Sequence, residues 1–263
     1  MSNNLVELEV VENNTIAILS LNRPDALNAL NMPLTEDFGK AVRQVVQNPK
    51  IRAAIVTGKG KAFCAGGDLG AFKASKEPGT FLYDLAAAFH KSVLTIRGMN
   101  IPWIAAINGP CFGVGLSLAC FCDFRVASAT AKFSVAFTGV GLSPDSSLLY
   151  YLPKIVNLAK ATEMVLLNTT LSAEDALKVN LVTKISKPED LLRDTLDMAT
   201  ILANMPTRTL GMDKKQLDAS YSLPLEQHLD LELKYVSESA TTVDFQDGCQ
   251  AFFERRKPHF KGI

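Results

Sequence analysis

Trp103-Ile104-Ala105-Ala106-Ile107-Asn108-Gly109-Pro110-Cys111-Phe112-Gly113-Val114-Gly115-Leu116-Ser117 is the stretch that decides the fold. An apolar run of strand type stops at Asn108-Gly109, and Gly113-Val114-Gly115 opens a helix over 113–120. The first amides of a helix have no partner inside it, and the dipole there favours negative charge. The same succession stands once before. Residues 52–57 form a buried-strand run ending at Gly58-Lys59-Gly60, followed by Lys61-Ala62-Phe63-Cys64-Ala65-Gly66-Gly67-Asp68-Leu69 and a helix around 81–97. Strand, glycine turn and helix, twice over, is an α/β pattern in which ligands bind at the carboxyl ends of parallel strands. Gly66-Gly67 opens backbone conformations closed to residues with a Cβ, so an amide there can point into a cleft. Taken alone, each turn reads equally as an ordinary loop or as close helix–strand packing. A nucleotide site does not fit, because neither GxGxxG nor a P-loop lysine is present.

Outward from these turns, residues 6–11 and 15–21 read as two strands joined at Asn13-Asn14. Leu34, Phe38, Ala41, Val42, Val45 and Val46 recur at helical spacing over 31–47. A strand is expected at 124–127. Beyond Ser143 the pattern turns helical, over about 146–151, 159–167, 172–178, 188–204, 208–221, 225–237 and 242–256, the last ending before Pro258. The expected layout is an α/β core over 1–200 and a helical C-terminal region over 201–263, with enough apolar residues to pack on the core or on another subunit.

Composition narrows the function. The chain has 263 residues, with 48% hydrophobic and 21% charged, which suits a folded soluble protein. Lys+Arg and Asp+Glu are 27 each, which argues against nucleic acid or an anionic membrane as main partner. No apolar run reaches the roughly 20 residues of a membrane span. The first residues lack a signal-peptide pattern and Lys261-Gly262-Ile263 is not a peroxisomal signal, so a cytoplasmic location is expected. Cys64, Cys111, Cys120, Cys122 and Cys249 are odd in number and read as reduced thiols, and His90, His228 and His259 make no metal set.

One acid stands in apolar company. Asp145, in Gly141-Leu142-Ser143-Pro144-Asp145-Ser146, has Phe133, Val135, Phe137 and Leu148 near it in sequence. Two readings compete. Ser143 as N-cap with Pro144 at the first helical position would make Asp145 a dipole-stabilised first-turn residue. Alternatively, a carboxylate facing two free-amide turns could move a proton beside a developing oxyanion.

Four segments then resemble the crotonase superfamily of enoyl-CoA hydratases and isomerases, in order and across the chain. They are residues 21–30 (Leu-Asn-Arg-Pro-Asp-Ala-Leu-Asn-Ala-Leu), 62–69, 105–109 and 252–257 (Phe-Phe-Glu-Arg-Arg-Lys). The resemblance implies a ClpP-like spiral of ββα units with a helical C-terminal trimerisation region. It implies oxyanion donors at the amides of Gly67 and Val114. It places coenzyme A at Ala26 and Ala65, with Gly66, Asp68 and Leu69 around it, and at Phe252 and Arg255 from the tail, often of a neighbouring subunit. The implied assembly is a homotrimer or a hexamer. The substrate is an acyl-CoA thioester from fatty-acid or related catabolism, with no cofactor beyond the coenzyme A it carries and no metal.

The departures choose among activities. A hydratase of this superfamily uses two glutamates; this chain has Ser117 and Phe137 at those positions. Isomerisation needs one base, and Asp145 stands where one isomerase branch carries it. Residues 143–147, with 160–164 after them, look like the peroxisomal-type Δ3,Δ2-enoyl-CoA isomerases, which usually have Glu there; 1,2-epoxyphenylacetyl-CoA isomerases have Asp. The expected activity is Δ3,Δ2-enoyl-CoA isomerisation, with Phe137, Leu82 and Phe89 lining the acyl pocket. The alternatives are hydration, inert acyl-CoA binding, and a 4-chlorobenzoyl-CoA-dehalogenase-like reaction pairing Asp145 with His90.

Overall fold

The computed structural model describes residues 4–263. β1 (Val6–Val11) and β2 (Ile16–Leu21) form the antiparallel hairpin. Its turn carries Glu12, Asn13 and Asn14 at positive φ (50°, 56° and 66°), a region that Asn enters more readily than most residues. From β2 onward the sheet is parallel. In chain order the strands are β3 (Ala53–Gly58), β4 (Trp103–Ile107), β5 (Cys111–Phe112), β6 (Phe124–Ser128), β7 (Lys132–Ser134), β8 (Thr170–Ser172) and β9 (Lys184–Ser186). The main sheet runs β1-β2-β3-β4-β6-β9, and β5, β7 and β8 form a second, smaller sheet.

Both faces of β2, β3 and β4 are covered, which is why these strands read as nearly continuous apolar runs. Side chains alternate between two cores with the period of a strand. Ala17, Leu19, Trp103, Ala105 and Ile107 enter the larger core, while Ile16, Ile18, Ile104 and Ala106 enter the smaller. The helices are α1 (Met32–Gln47), α2 (Leu69–Ala74), α3 (Pro78–Gly98), α4 (Val114–Phe121), α5 (Leu148–Val156), α6 (Leu158–Leu166), α7 (Ala173–Lys178), α8 (Leu191–Ala203), α9 (Thr207–Ala219), α10 (Leu225–Ala240) and α11 (Val243–Glu254). α8 closes the smaller core through Leu191, Ala199 and Ala203. α1 starts at Asn31, whose side chain caps the Leu34 amide, and buries Leu34, Phe38, Ala41, Val42 and Val45. Val46, read as part of that stripe, is exposed instead. Phe38 meets Phe89 of α3 at 5.6 Å between ring centroids. Each such fully buried side chain stabilises the fold by about 1.5–3 kcal/mol.

One expectation needs correction, and three short strands went unread. The helix read over 146–151 begins at Leu148 and runs on to Val156. β7, β8 and β9 escape sequence reading because three residues are too few to display a period of two. The last helices are tied to the core by partly buried cations. Arg52 donates to the Met205 carbonyl at 2.7 Å, Arg97 pairs with Asp218 at 2.7 Å, and Lys214 pairs with Asp123 at 2.8 Å.

Candidate active site

The two glycine turns, with Cys64 and Cys111 47 residues apart in the chain, are paired directly in space. Cys64 and Cys111 form a parallel bridge; the Phe112 amide donates to the Cys64 carbonyl at 2.9 Å, and the Cys64 amide to the Pro110 carbonyl at 3.1 Å. Gly115 permits this approach, since a Cβ there would sit 2.3 Å from the Cys64 carbonyl oxygen. Gly113 caps α4 at φ 54°, and a Cβ on it would lie 3.3 Å from the Gly66 Cα.

The pairing leaves two amides over. Leu30 donates to the Gly66 carbonyl at 2.8 Å and accepts from the Asp68 amide at 2.9 Å, a bridge that brackets Gly67 and turns its own N–H outward. The Gly113 amide donates to Ser134, and α4 takes up the Gly113 carbonyl through the Ser117 amide at 3.1 Å, so Val114 supplies the first unclaimed N–H of the helix. Among the described residues, neither the Gly67 nor the Val114 amide donates to a backbone carbonyl. Both residues line one cavity of about 350 Å³. Its wall is otherwise largely apolar: Phe72 from α2, Leu82, Leu85 and Phe89 from α3, and Phe137, Val140 and Leu142 from the segment after β7.

Asp145 and Ser146 complete that wall. The helix-cap reading of Ser143-Pro144 is overturned. α5 begins at Leu148 behind Ser147, which has φ 68° and makes no side-chain cap, so Asp145 lies in the preceding loop and outside the first turn. Asp145 is half-buried, and its Oδ1 is buried with no hydrogen-bond partner. Burial pushes its carboxyl above the ordinary value; the nearby Ser146 hydroxyl and the charge of His90 oppose that rise without cancelling it. The Ser146 hydroxyl, itself buried, is not in hydrogen-bonding geometry with any group among the described residues. Two free amides and one carboxyl group on the wall of an apolar cavity can hold a developing oxyanion and relay a proton.

Of the residues singled out in the sequence, Ala65, Gly66, Gly67, Leu69, Leu82, Phe89, Val114, Phe137 and Asp145 converge on this cavity. The others lie outside its wall. Ala26 ends a 3-10 turn (Pro24–Ala26) next to Leu27, whose carbonyl accepts the Ala65 amide at 3.0 Å. Asp68 caps α2 at the Ala71 amide (3.1 Å) and pairs with Arg23 at 2.7 Å. Burial works to raise its carboxyl, but these partners hold it below the ordinary value. His90 is exposed, one position past Phe89. Phe252 and Arg255 lie exposed at the end of α11, where Phe252 shares a separate apolar pocket with Phe245 and Phe260. Sequence reading missed Phe72 and Ser146. Phe72 had a signal, since it lies four residues after an Asp that caps the helix. Ser117 is fully buried and absent from the wall.

Cys64, Cys111, Cys120 and Cys122 are buried, and burial raises their thiols, to about 11 for Cys64 and about 12 for Cys120 and Cys122. Among the described residues no three His, Cys, Asp or Glu side chains gather as a metal site, and no helix is long and apolar enough to cross a membrane.

Comparison with known proteins gives the family. Residues 11–263 match the enoyl-CoA hydratase/isomerase family. A probable enoyl-CoA hydratase of Rhodobacter capsulatus is 34% identical over 100% of both chains. The 1,2-epoxyphenylacetyl-CoA isomerase of Escherichia coli is 32% identical over 94% of this chain and 95% of its own. The crystal structure of an enoyl-CoA hydratase from Polaromonas superposes with a TM-score of 0.92 at 30% identity, covering 97% of this chain and 99% of that one. The α/β crotonase fold with its helical C-terminal region is therefore the fold of this protein, and the chain belongs to the enoyl-CoA hydratase/isomerase family.

Proposed function

We propose that this member of the family is a Δ3,Δ2-enoyl-CoA isomerase whose proton shuttle is Asp145. One observation carries the reading: Asp145 and the free amides of Gly67 and Val114 belong to the same apolar cavity. In the proposed reaction the thioester oxygen of a 3-enoyl-CoA accepts from both amides. Asp145 takes a proton from C2, and the C–H electron pair moves into the conjugated thioester to give a dienolate. The protonated Asp145 then returns the proton to C4, and the double bond comes to rest between C2 and C3. Removing one oxyanion donor costs typically about 10²–10³ in rate, and a general acid–base contributes about 10²–10⁴. The raised pKa of Asp145 suits a group that must both take and give the proton. Coenzyme A would lie along Ala26 and Ala65, with Phe252 and Arg255 reaching it from a neighbouring subunit of a trimer.

Hydration is the second reading, favoured by relatives that carry the hydratase name. Water addition requires a carboxylate to activate water and an acid to protonate carbon, and Ser117 and Phe137 supply neither. A His90-assisted reaction gains no support, because His90 is exposed and outside the cavity wall.

The test follows the ultraviolet absorbance of the conjugated thioester as a 3-enoyl-CoA is converted, for wild type and Asp145→Ala, with crotonyl-CoA hydration assayed in parallel. Isomerisation that collapses in the variant supports the reading. Hydration without isomerisation replaces it with the second. Binding without turnover in either protein marks an inert acyl-CoA binder.

A further inference from the structure

α4 carries more than an oxyanion donor. It begins with Val114, and three residues on comes Ser117, in a helix whose every residue is buried. Serine within a helix commonly gives its proton back to the carbonyl four residues earlier. Here that carbonyl, of Gly113, is 3.5 Å from the Ser117 Oγ, while the Asp145 carbonyl oxygen is closer at 3.0 Å. A hydroxyl has one proton to donate. The shorter contact takes it, so α4 is bonded to a loop 28 residues further along the chain.

That loop needs an anchor. Its Asp145 carbonyl also accepts the Leu148 amide at 3.1 Å, and the chain then passes through Ser146 and Ser147 at φ 53° and 68°, two consecutive left-handed residues with a Cβ. Backbone of this kind persists only where its surroundings fix it.

We propose that Ser117 is a positioning residue: its hydroxyl holds the Asp145 backbone so that the proton shuttle and the Val114 amide are set by one helix. The inference rests on Asp145 being that shuttle. Ser117 is not a catalytic residue, because it does not reach the cavity. The position that holds a carboxylic acid in the hydratases resembled by this chain is thus filled by a hydroxyl that fixes the other acid in place.

The experiment is isomerisation of a 3-enoyl-CoA in D2O by wild type, Ser117→Ala, Ser117→Cys and Asp145→Ala, reading three quantities: kcat, the dissociation constant of a saturated acyl-CoA, and the ratio of deuterium entering C2 to double-bond transfer. Misplacing a reacting group by about 1 Å can cost 10²-fold, so Ser117→Ala should lower kcat by roughly 10–10² while acyl-CoA affinity stays within about twofold. The ratio should rise at least about threefold, because a misplaced shuttle returns the proton to the nearer carbon. Ser117→Cys, with its weak donor, should fall between wild type and Ser117→Ala. A merely structural serine would lower the amount of active enzyme and leave the ratio unchanged, and an unchanged ratio overturns the inference whatever happens to kcat. Full activity in Asp145→Ala would instead bring down the assignment of the shuttle itself.

Discussion

Asp123 and Asp145 are both carboxylates withdrawn from water, and the fold treats them in opposite ways. Asp123 Oδ1 pairs with Arg97 at 2.8 Å, and its Oδ2 takes Lys214 and the Trp103 amide, each at 2.8 Å. Arg97 goes on to Asp218 and the Phe121 carbonyl, and Lys214 to the Ile101 carbonyl at 2.8 Å. Burial works to lower Arg97, but Asp123 and Asp218 hold it above its ordinary value. Asp145, by contrast, keeps one oxygen buried and unpaired. A buried unsatisfied group costs about 1–3 kcal/mol, so a fold keeps one where something else is served by it. The saturated carboxylate holds α3 and α9 to the core, and the unsaturated one is left available for a proton.

The sharpest way to break this contrast is to remove each acid. Asp145→Ala should lower kcat for 3-enoyl-CoA by about 10²–10⁴. The same change should raise the melting temperature by about 2–4 °C, the shift that relief of roughly 1 kcal/mol gives in a chain of this size. Asp123→Ala should do the reverse, destabilising by about 3–5 kcal/mol because Lys214 and Arg97 lose a buried partner, with kcat per folded enzyme little changed. Melting curves beside steady-state rates decide it. Equal stability losses in both variants would erase the distinction.

A smaller effect tests the other half of the site. A Cβ on Gly67 would lie 2.4 Å from the Phe72 Cζ, so Gly67→Ala must move either the ring or the amide. Its kcat should fall about 10–10²-fold, short of complete loss of a donor. Gly79 in α3 has open space around its Cα, and Gly79→Ala should leave the rate alone while stabilising the helix by about 0.5–1 kcal/mol.

The smallest effect is on pH. As the proposed shuttle, Asp145 must start ionised, so kcat/KM should fall as the pH drops through its pKa, at a higher pH than the ~3.9 of an exposed aspartate would give. Stability runs the other way. The native state holds this proton to higher pH than the unfolded chain, so the contribution is full below the unfolded pKa and lost as the pH rises through the folded one. Asp145→Asn should remove this contribution, so that the difference in melting temperature between wild type and variant changes with pH across about pH 3–7.

Much of this was readable from residues, and the failures have physical causes. The main strands and α1 declared themselves through their periods, and the glycine turns through what a Cβ forbids. Ser143-Pro144-Asp145-Ser146 spells a helix start as well as it spells a loop. What decides between them is Leu148 packing into the core and a hydroxyl on α4, neither of which is local. The pairing of the Asp68 carboxylate with Arg23 and the Ala71 amide joins residues 45 and 3 positions apart, and the longer of the two is not legible in sequence. Phe252 and Arg255 stand exposed at the end of α11.

The complete burial of α4 bears on how such an enzyme could diverge. Each α4 side chain is wedged among others, so most substitutions there would reduce the folded population before they could alter a reaction. The segment from Ser143 to Ser147 borders the cavity and is only partly enclosed, so it can exchange side chains at lower cost to folding. Mutational drift in this scaffold is therefore channelled: the α4 end of the cavity changes least, and new side chains enter most readily through the loop that borders it.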